Sequence, residues 1–409
     1  MKILIYGINF SPELTGTGKF TGDMSHWLAF EGHDIRVVTA PPYYPSWRIG
    51  DGFSSFAYRI EKRDRMKIYR CPLYVPANPS GLKRILHLLS FAVSSAVSMT
   101  AQILWKPDLI FLVEPTFFCA PTALLVANRC GAKTWLHVQD FEVDAAFELG
   151  ILKGKSVRQR VTSAERWLMH RFDRVSSISV RMLDKLKAKG VPDSSAILFP
   201  NWVDLDAIRP LTDPSLFRAE LDIPSTAVVA LYSGNMGGKQ GLEILAEAAN
   251  ILRESSDIWF VFAGDGSGRS SLVDSCKLLR NVLFLPLQPL ERLNDLLGLA
   301  DIHLLPQRAD AADLVMPSKL TGMLASGRPV IATAHPDTEV GRAVSECGVI
   351  VAPERGDLLA RAILDLAENR VRRVALGRQA RDYAVRKLGK ESILASFRNE
   401  LACLLPERT

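Results

Sequence analysis

The sequence predicts an α/β protein made of two Rossmann-like, doubly wound parallel-sheet domains. Three observations carry that expectation. Apolar runs of strand length alternate with helix-length segments along nearly the whole chain, which implies parallel pairing through right-handed crossovers. Two of these runs empty through glycines into a helix start: KILIYGI (2–8) leads to TGTGKF (15–20), and the run 227–232 leads to SGNMGGKQG (233–241). At 409 residues the chain also exceeds one hydrophobic core, since domains average about 150 residues. Two such openings half a chain apart predict two nucleotide-fold domains facing one cleft.

In the first half, strands are read at 2–8, 34–39, 66–70, 108–113, 133–138, 174–178 and 197–199. FPNWVDLDAIRP (199–210) then breaks the rhythm with prolines and a turn, so residues 201–226 read as a linker. The second half restarts with strands at 227–232, 258–263, 282–285, 301–305, 329–333 and 348–351, and from residue 357 the pattern is almost entirely helical. The last helix, 391–405, has apolar positions that need a surface, which suits a return onto the first domain. The expected division is 1–205, 206–388 and a returning helix at 389–409.

One segment stands apart. LKRILHLLSFAVSSAVSMTAQILW (82–105) approaches the length of a membrane span, of about 20 residues, but its serines, threonine and glutamine suit lipid poorly. A buried helix and an interfacial one both fit, the second because Lys83, Arg84 and His87 give one end a basic edge beside an apolar face.

Hydrophobic residues make up 48% of the chain, enough for full cores. The six cysteines are scattered, with no C-x-x-C pair and no histidine cluster beside them, which argues for free thiols in a reducing cytosol and against a zinc site or disulfide framework. No signal peptide is expected, because Met1-Lys2 runs directly into a strand. The net charge of +6 suits an anionic partner, but no DNA- or RNA-reading motif accompanies it, so nucleic acid is not expected.

The chemistry-bearing residues lie at the glycine turns. A strand emptying through glycines into a helix start makes an anion cradle of outward N–H groups and a favourable helix dipole. In the second half Ser233, Gly234 and Asn235 form that turn and Lys239 adds a full positive charge. A second glycine turn, FAGDGSGRSSL (262–272), carries Gly264, Asp265 and Gly266 but sits in the wrong place for an NAD fingerprint. In MPSKLTGMLASGRPVIAT (316–333), Pro317-Ser318 marks a helix start with Ser318 as the N-cap, followed by Lys319 and Leu320. A lysine in the first turn opposes the helix dipole, a conflict that a bound anion would resolve, so Lys239 and Lys319 read as a two-lysine diphosphate clamp.

SGNMGGKQG, AGDGSGR, PSKL and ASGRPVIAT resemble the donor domain of the family 4 glycosyltransferases, which have the GT-B fold. YGINFSPELTGTGKFTGDM, TAPPYYPSW, RCPLYVP, HVQDFEVDA and FPNW are similar to the colanic-acid and exopolysaccharide branch of that family. The resemblance implies a retaining, metal-independent hexosyltransferase with no cofactor beyond its nucleotide-sugar substrate. GDP-fucose is the first expected donor and a UDP-hexose the next. The implied acceptor is a polyprenyl-diphosphate-linked saccharide, and the implied location is the cytoplasmic face of an anionic inner membrane.

By that resemblance Lys239 and Lys319 stabilise the departing diphosphate, and Gly16, Thr17 and Gly18 let the first domain's backbone approach the donor. His137 stands near the donor sugar with Asp140 and Glu142 in the same loop, and Glu339 is a further donor contact. For His137 the alternative is a core histidine hydrogen-bonded at a strand end, and for Asp140 and Glu142 a solvated loop. The loop APPYYPSW offers Tyr43, Tyr44 and Trp47 as aromatic faces for an acceptor, or as a self-packed loop. Where the family carries two glutamates eight positions apart, this chain has Leu314 and Gly322, with Asp310 and Asp313 nearby. The rival readings are a UDP-sugar 2-epimerase of the same fold, a catalytically idle nucleotide-sugar binder or membrane scaffold, and a Rossmann oxidoreductase.

Overall fold

A computed structural model gives the fold and describes residues 1–13, 16–63, 65–77, 81–148, 154–237, 240–309 and 317–405. The chain divides into two compact units. Unit one is Met1–Pro200 together with the chain from Leu394 onward, and unit two is Asn201–Ile393.

Among the described residues, unit one carries eight strands: β1 (Lys2–Tyr6), β2 (Asp34–Thr39), β3 (Arg59–Arg63), β4 (Met66–Arg70), β5 (Leu109–Glu114), β6 (Lys133–Val138), β7 (Arg174–Ser177) and β8 (Ala196–Leu198). They form one sheet in the order β3-β4-β2-β1-β5-β6-β7-β8. The central strands are apolar on both faces because helices cover both; β5 is buried at all six positions. Pairing is parallel except for β3 with β4.

The β3 hairpin is the strand that periodicity missed. RIEKR has no apolar alternation, and as an edge strand it needs none: only Glu61 is half-buried. That glutamate accepts from the buried guanidinium of Arg70 at 3.1 Å, and Arg70 also donates to the carbonyls of Ala40 and Ser11.

Unit two holds β9 (Val228–Ser233), β10 (Ile258–Ala263), β11 (Val282–Leu285), β12 (Ile302–Leu305), β13 (Val330–Thr333) and β14 (Gly348–Val351), in the order β11-β10-β9-β12-β13-β14. All are parallel. The stretch read as a linker is tied into this unit. Val203 bonds in both directions to the backbone at Leu388 and Lys390, and Phe217, in the short helix Leu216–Glu220, is buried in its core.

The last helix, Lys390–Leu404, starts in unit two and belongs to unit one from Leu394 on. Phe397 explains why. Its ring stacks on Phe199 at 4.6 Å and meets Trp135 and Phe111 edge-on at 5.1 and 5.6 Å. Phe397→Ala should therefore cost about 3–5 kcal/mol, read as a lower urea midpoint by tryptophan fluorescence.

Candidate functional site

The strand order of unit two reverses between β9 and β12, and in open parallel sheets ligands bind outside the carboxyl ends at such a switch point. The glycine-rich turn after β9 sits there. Gly234 has φ +127° and donates its N–H to the Ala263 carbonyl at 3.0 Å. Met236 donates to the Asp265 carbonyl at 2.8 Å, and Gly268 donates to the Met236 carbonyl at 2.7 Å. The two glycine turns are thus laced together by their backbones.

A methyl group on Gly264 (φ +141°) would overlap the Gly234 carbonyl oxygen, and one on Gly266 (φ +150°) would lie 2.7 Å from the Met236 backbone. Gly264 and Gly266 are therefore required by the packing of the two turns. Asp265 is exposed and accepts from the Gly266 N–H at 2.8 Å. Asn235 is exposed, and its carbonyl accepts from the Tyr232 hydroxyl at 2.5 Å. Lys239 lies outside the described residues, as do Asp310, Asp313 and Leu314.

Lys319 is the chemical centre of what is described. It sits at the second position of the helix Ser318–Ala325, whose N-cap position is Pro317; Ser318 begins the helix rather than capping it. Its ammonium donates to Gln240 Oε1 at 2.9 Å, lies 3.5 Å from the Tyr232 hydroxyl and stands 4.5 Å over the Tyr232 ring. Its stem passes Gly234, where an added Cβ would lie 3.4 Å from Lys319 Cδ. Burial pushes this amine down to about 7, and none of the described carboxylates pairs with it to oppose that. A cation held against neutral dipoles at a switch point is poised to gain from an incoming anion.

Sequence reasoning missed Tyr232 and Gln240. Tyr232 read as strand core, and Gln240 stood in the turn without a signal of its own. Leu320 was misplaced the other way: its side chain is buried in the unit-two core, because the position after Lys319 faces the sheet. Glu339 opens the helix Glu339–Ser345 after β13, capped by Thr338, whose hydroxyl accepts from the Gly341 N–H at 3.0 Å.

In unit one the turn after β1 is organised by a residue that the sequence did not single out. Glu13, buried, accepts the N–H groups of Tyr43 and Tyr44, each at 3.1 Å, and the Asn9 amide at 3.0 Å. A side chain on Gly18 would collide with its carboxylate, and one on Gly16 (φ +62°) would meet the Tyr44 ring at 3.4 Å. The Thr17 carbonyl accepts from the Thr21 hydroxyl. Glu13 thus staples the Gly16–Thr17–Gly18 turn to the aromatic loop.

Within that loop Tyr43 is buried, edge-on to His87 at 4.7 Å and Trp47 at 5.5 Å. It cannot present a face to an acceptor, which corrects its reading; Tyr44 is exposed and Trp47 half-buried.

His137, on β6, lies in the core. Nδ1 is 2.8 Å from the Ser176 hydroxyl, Gln139 donates to Nε2 at 3.2 Å, and Phe199 and Phe111 pack at 5.1 and 5.8 Å. Burial pushes it down to about 3. A neutral imidazole with both nitrogens engaged has the geometry of the core alternative. The carboxylates beyond it are more reactive. Glu142 accepts from the Phe117 N–H at 2.9 Å, while its other oxygen is buried with no hydrogen-bond partner among the described residues. Burial pushes it up to about 7; Asp140, itself exposed, adds to the rise, and the Phe117 N–H and Arg84 oppose it. Glu114, at the end of β5, is pushed well up by burial and by Glu142. A carboxyl group that titrates near neutrality at a sheet's carboxyl edge can accept or return a proton.

Residues 15–202 match the glycosyl transferase 4-like domain, and residues 215–383 match the glycosyl transferases group 1 family. Over 98% of its length this chain is 46% identical to the whole of an Escherichia coli K12 protein named as a colanic acid biosynthesis glycosyl transferase, WcaI. Among solved structures, sucrose-phosphate synthase from Thermosynechococcus elongatus superposes with a TM-score of 0.77 at 16% identity, covering 99% of each chain. HepE of Anabaena, solved with UDP and glucose, gives a TM-score of 0.68 at 14% identity over 98% of this chain and 100% of its own. At those identities the likeness is one of fold.

The depressed amine sets a pH dependence. Lys319 carries its charge below about 7 and loses it above, so affinity for a nucleotide sugar, whose diphosphate holds no titrating proton there, should be level at low pH. It should fall by up to about tenfold per pH unit above 7 until the bound-state pKa is reached. Calorimetry across that range checks it, and Lys319→Arg, charged throughout, should flatten the profile.

Proposed function

We propose a reaction and a location for this chain, which belongs to the GT-B-fold glycosyltransferases with a family 4-like N-terminal half and a group 1 C-terminal half. The reaction is metal-independent, retaining transfer of a sugar from a nucleotide-diphosphate donor to a polyprenyl-diphosphate-linked saccharide, within exopolysaccharide repeat-unit synthesis. One observation carries the donor end: the half-buried Lys319 ammonium at the unit-two switch point, held by Tyr232 and Gln240 with no described carboxylate bonded to it.

As the bond from sugar C1 to the diphosphate breaks and C1 bonds to the acceptor hydroxyl oxygen, whose proton passes to the departing diphosphate oxygen, negative charge grows on the leaving diphosphate. Lys319 and Lys239 would neutralise it more strongly in the transition state than in the ground state. The likeness to WcaI, named for colanic acid biosynthesis, supports the polysaccharide reading; GDP-fucose is the first donor proposed and a UDP-hexose the second. HepE's UDP and glucose keep the second in view. Thermal stabilisation by GDP against UDP separates them. Lys319→Met and Lys239→Ala should each lower kcat/KM about 10²–10³-fold while the ligand-free melting temperature holds. Full transfer by both variants would remove the clamp.

The location rests on a helix with an exposed apolar stripe. Gly81–Ala101 buries His87, Ser95 and Ser98 beside Phe91 and Met99, with Ser95 bonded to the Tyr6 hydroxyl at 2.6 Å and Ser98 to the Cys71 thiol at 3.2 Å. Its apolar residues Leu82, Leu86, Leu89, Val93 and Val97 face outward at helical spacing. Exposed Tyr58, which donates to the Ser94 carbonyl, and exposed Tyr74 flank it. Lys83 and Arg84 on the helix, with exposed Arg59, Lys62 and Arg63 on β3, add the positive charge that an anionic bilayer attracts. At about 1 kcal/mol or more per inserted aliphatic side chain, the stripe suffices for peripheral attachment. Leu86→Ser with Val93→Ser should leave folding intact and abolish sedimentation with phosphatidylglycerol vesicles; unchanged sedimentation would overturn the attachment.

A further inference from the structure

Unit two carries a second concentration of positive charge, at the opposite edge of its sheet from Lys319. A cavity of about 340 Å³ is lined by Arg328, Arg370, Arg373, Arg378 and Arg381, with Asp301 and Asp382 as its acids. Asp301 immediately precedes β12, and Arg328 stands two residues before β13, so the cavity opens at the amino ends of strands whose carboxyl ends face the glycine turns. It is separate from the proposed donor site and does not rest on it.

Three of the five guanidiniums are held by backbone carbonyls, which orient them without cancelling their charge. Arg328 donates to Gly298 at 3.2 Å, and Arg373 donates to Leu366 and Ala367. Arg381 donates to Ile208 and Ala325, both at 2.8 Å, and to Leu205 at 3.1 Å. Arg370 and Arg378 are exposed, and none of the five forms a salt bridge among the described residues. Asp301 is already committed to Arg218 at 2.9 Å. Burial lowers the Arg373 pKa and its neighbours Arg370 and Arg328 lower it further, with Asp301 opposing. The helix face that carries four of these arginines sits close against the Gly327 turn because Gly377 has no side chain; a methyl group there would strike the Gly327 carbonyl.

We propose that this cavity is a binding site for a soluble, multiply charged phosphoryl anion of the diphosphate or phosphate-ester class. Guanidinium forks match phosphoryl oxygens in pairs, and the volume fits a small molecule. Five arginines against two lining acids, with none of the five in a salt bridge among the described residues, are the arrangement that such an anion relieves.

The test is calorimetric titration of the full chain with inorganic diphosphate. The wild type should bind at two classes of site. Arg370→Glu with Arg378→Glu, which touches no structural carbonyl bond, should weaken one class about tenfold or more and leave nucleotide-sugar affinity unchanged; Lys319→Met should remove the other. A single class that vanishes with Lys319→Met overturns the proposal, as does a double variant that binds like the wild type. Phosphatidylglycerol vesicles form the second arm. If the double variant loses vesicle binding while diphosphate never occupies the cavity, the arginines serve a lipid headgroup and the soluble-anion site is refuted.

Discussion

The carbonyl of Gly234 runs so close to the backbone of Gly264 that no side chain fits between them, and much of what unit two offers chemically follows from that approach. It locks the turn after β9 onto the turn after β10, so the N–H groups at the switch point are held by a second loop instead of swinging freely. It keeps Tyr232 in reach of its own turn, where the hydroxyl bonds Asn235 and the ring receives the Lys319 ammonium. The glycines that look like a ligand fingerprint are first a condition of two loops touching. With those amides spent on neighbouring carbonyls, the charged group at the switch point is the Lys319 ammonium.

What could be read from the chain depended on whether a signal was local. The strands of unit two and all but one in unit one lie where apolar periodicity puts them, because a buried parallel strand must be apolar on both faces. RIEKR escaped for the converse reason: an exposed edge strand needs only backbone pairing. Lys319 was legible because a lysine in a first helical turn is an electrostatic anomaly wherever the helix lies. Tyr232 and Gln240 were not, since they reach it only through space, 87 and 79 residues away in sequence. Tyr43 and Leu320 share one lesson: membership of a motif does not say which way a side chain points, and both point inward. Glu13 is the reverse case, an ordinary loop glutamate made central by three hydrogen bonds.

Unit one and unit two solve opposite problems with charge and polarity. The helix Gly81–Ala101 buries Ser95 and Ser98, where the Tyr6 hydroxyl and the Cys71 thiol satisfy them, and leaves Leu82, Leu86, Leu89, Val93 and Val97 on the outside. The helix Arg370–Lys387 puts arginines along a cavity and satisfies them with carbonyls rather than carboxylates. In each case internal partners answer the serines or the half-buried arginines, and what is left over faces outward: an apolar stripe in one unit, an excess of positive charge in the other.

The Phe397 ring also fixes a time order. Unit one's aromatic core, Trp135, Phe111 and Phe199, is encoded in the first half of the message, and the ring that closes it arrives near the end. At a synthesis rate of about 5–20 residues per second, the nascent first unit waits on the order of 10–40 s for that ring while unit two emerges. Unit two, continuous from Asn201 to Ile393, has no such wait. The part made first is therefore the part finished last.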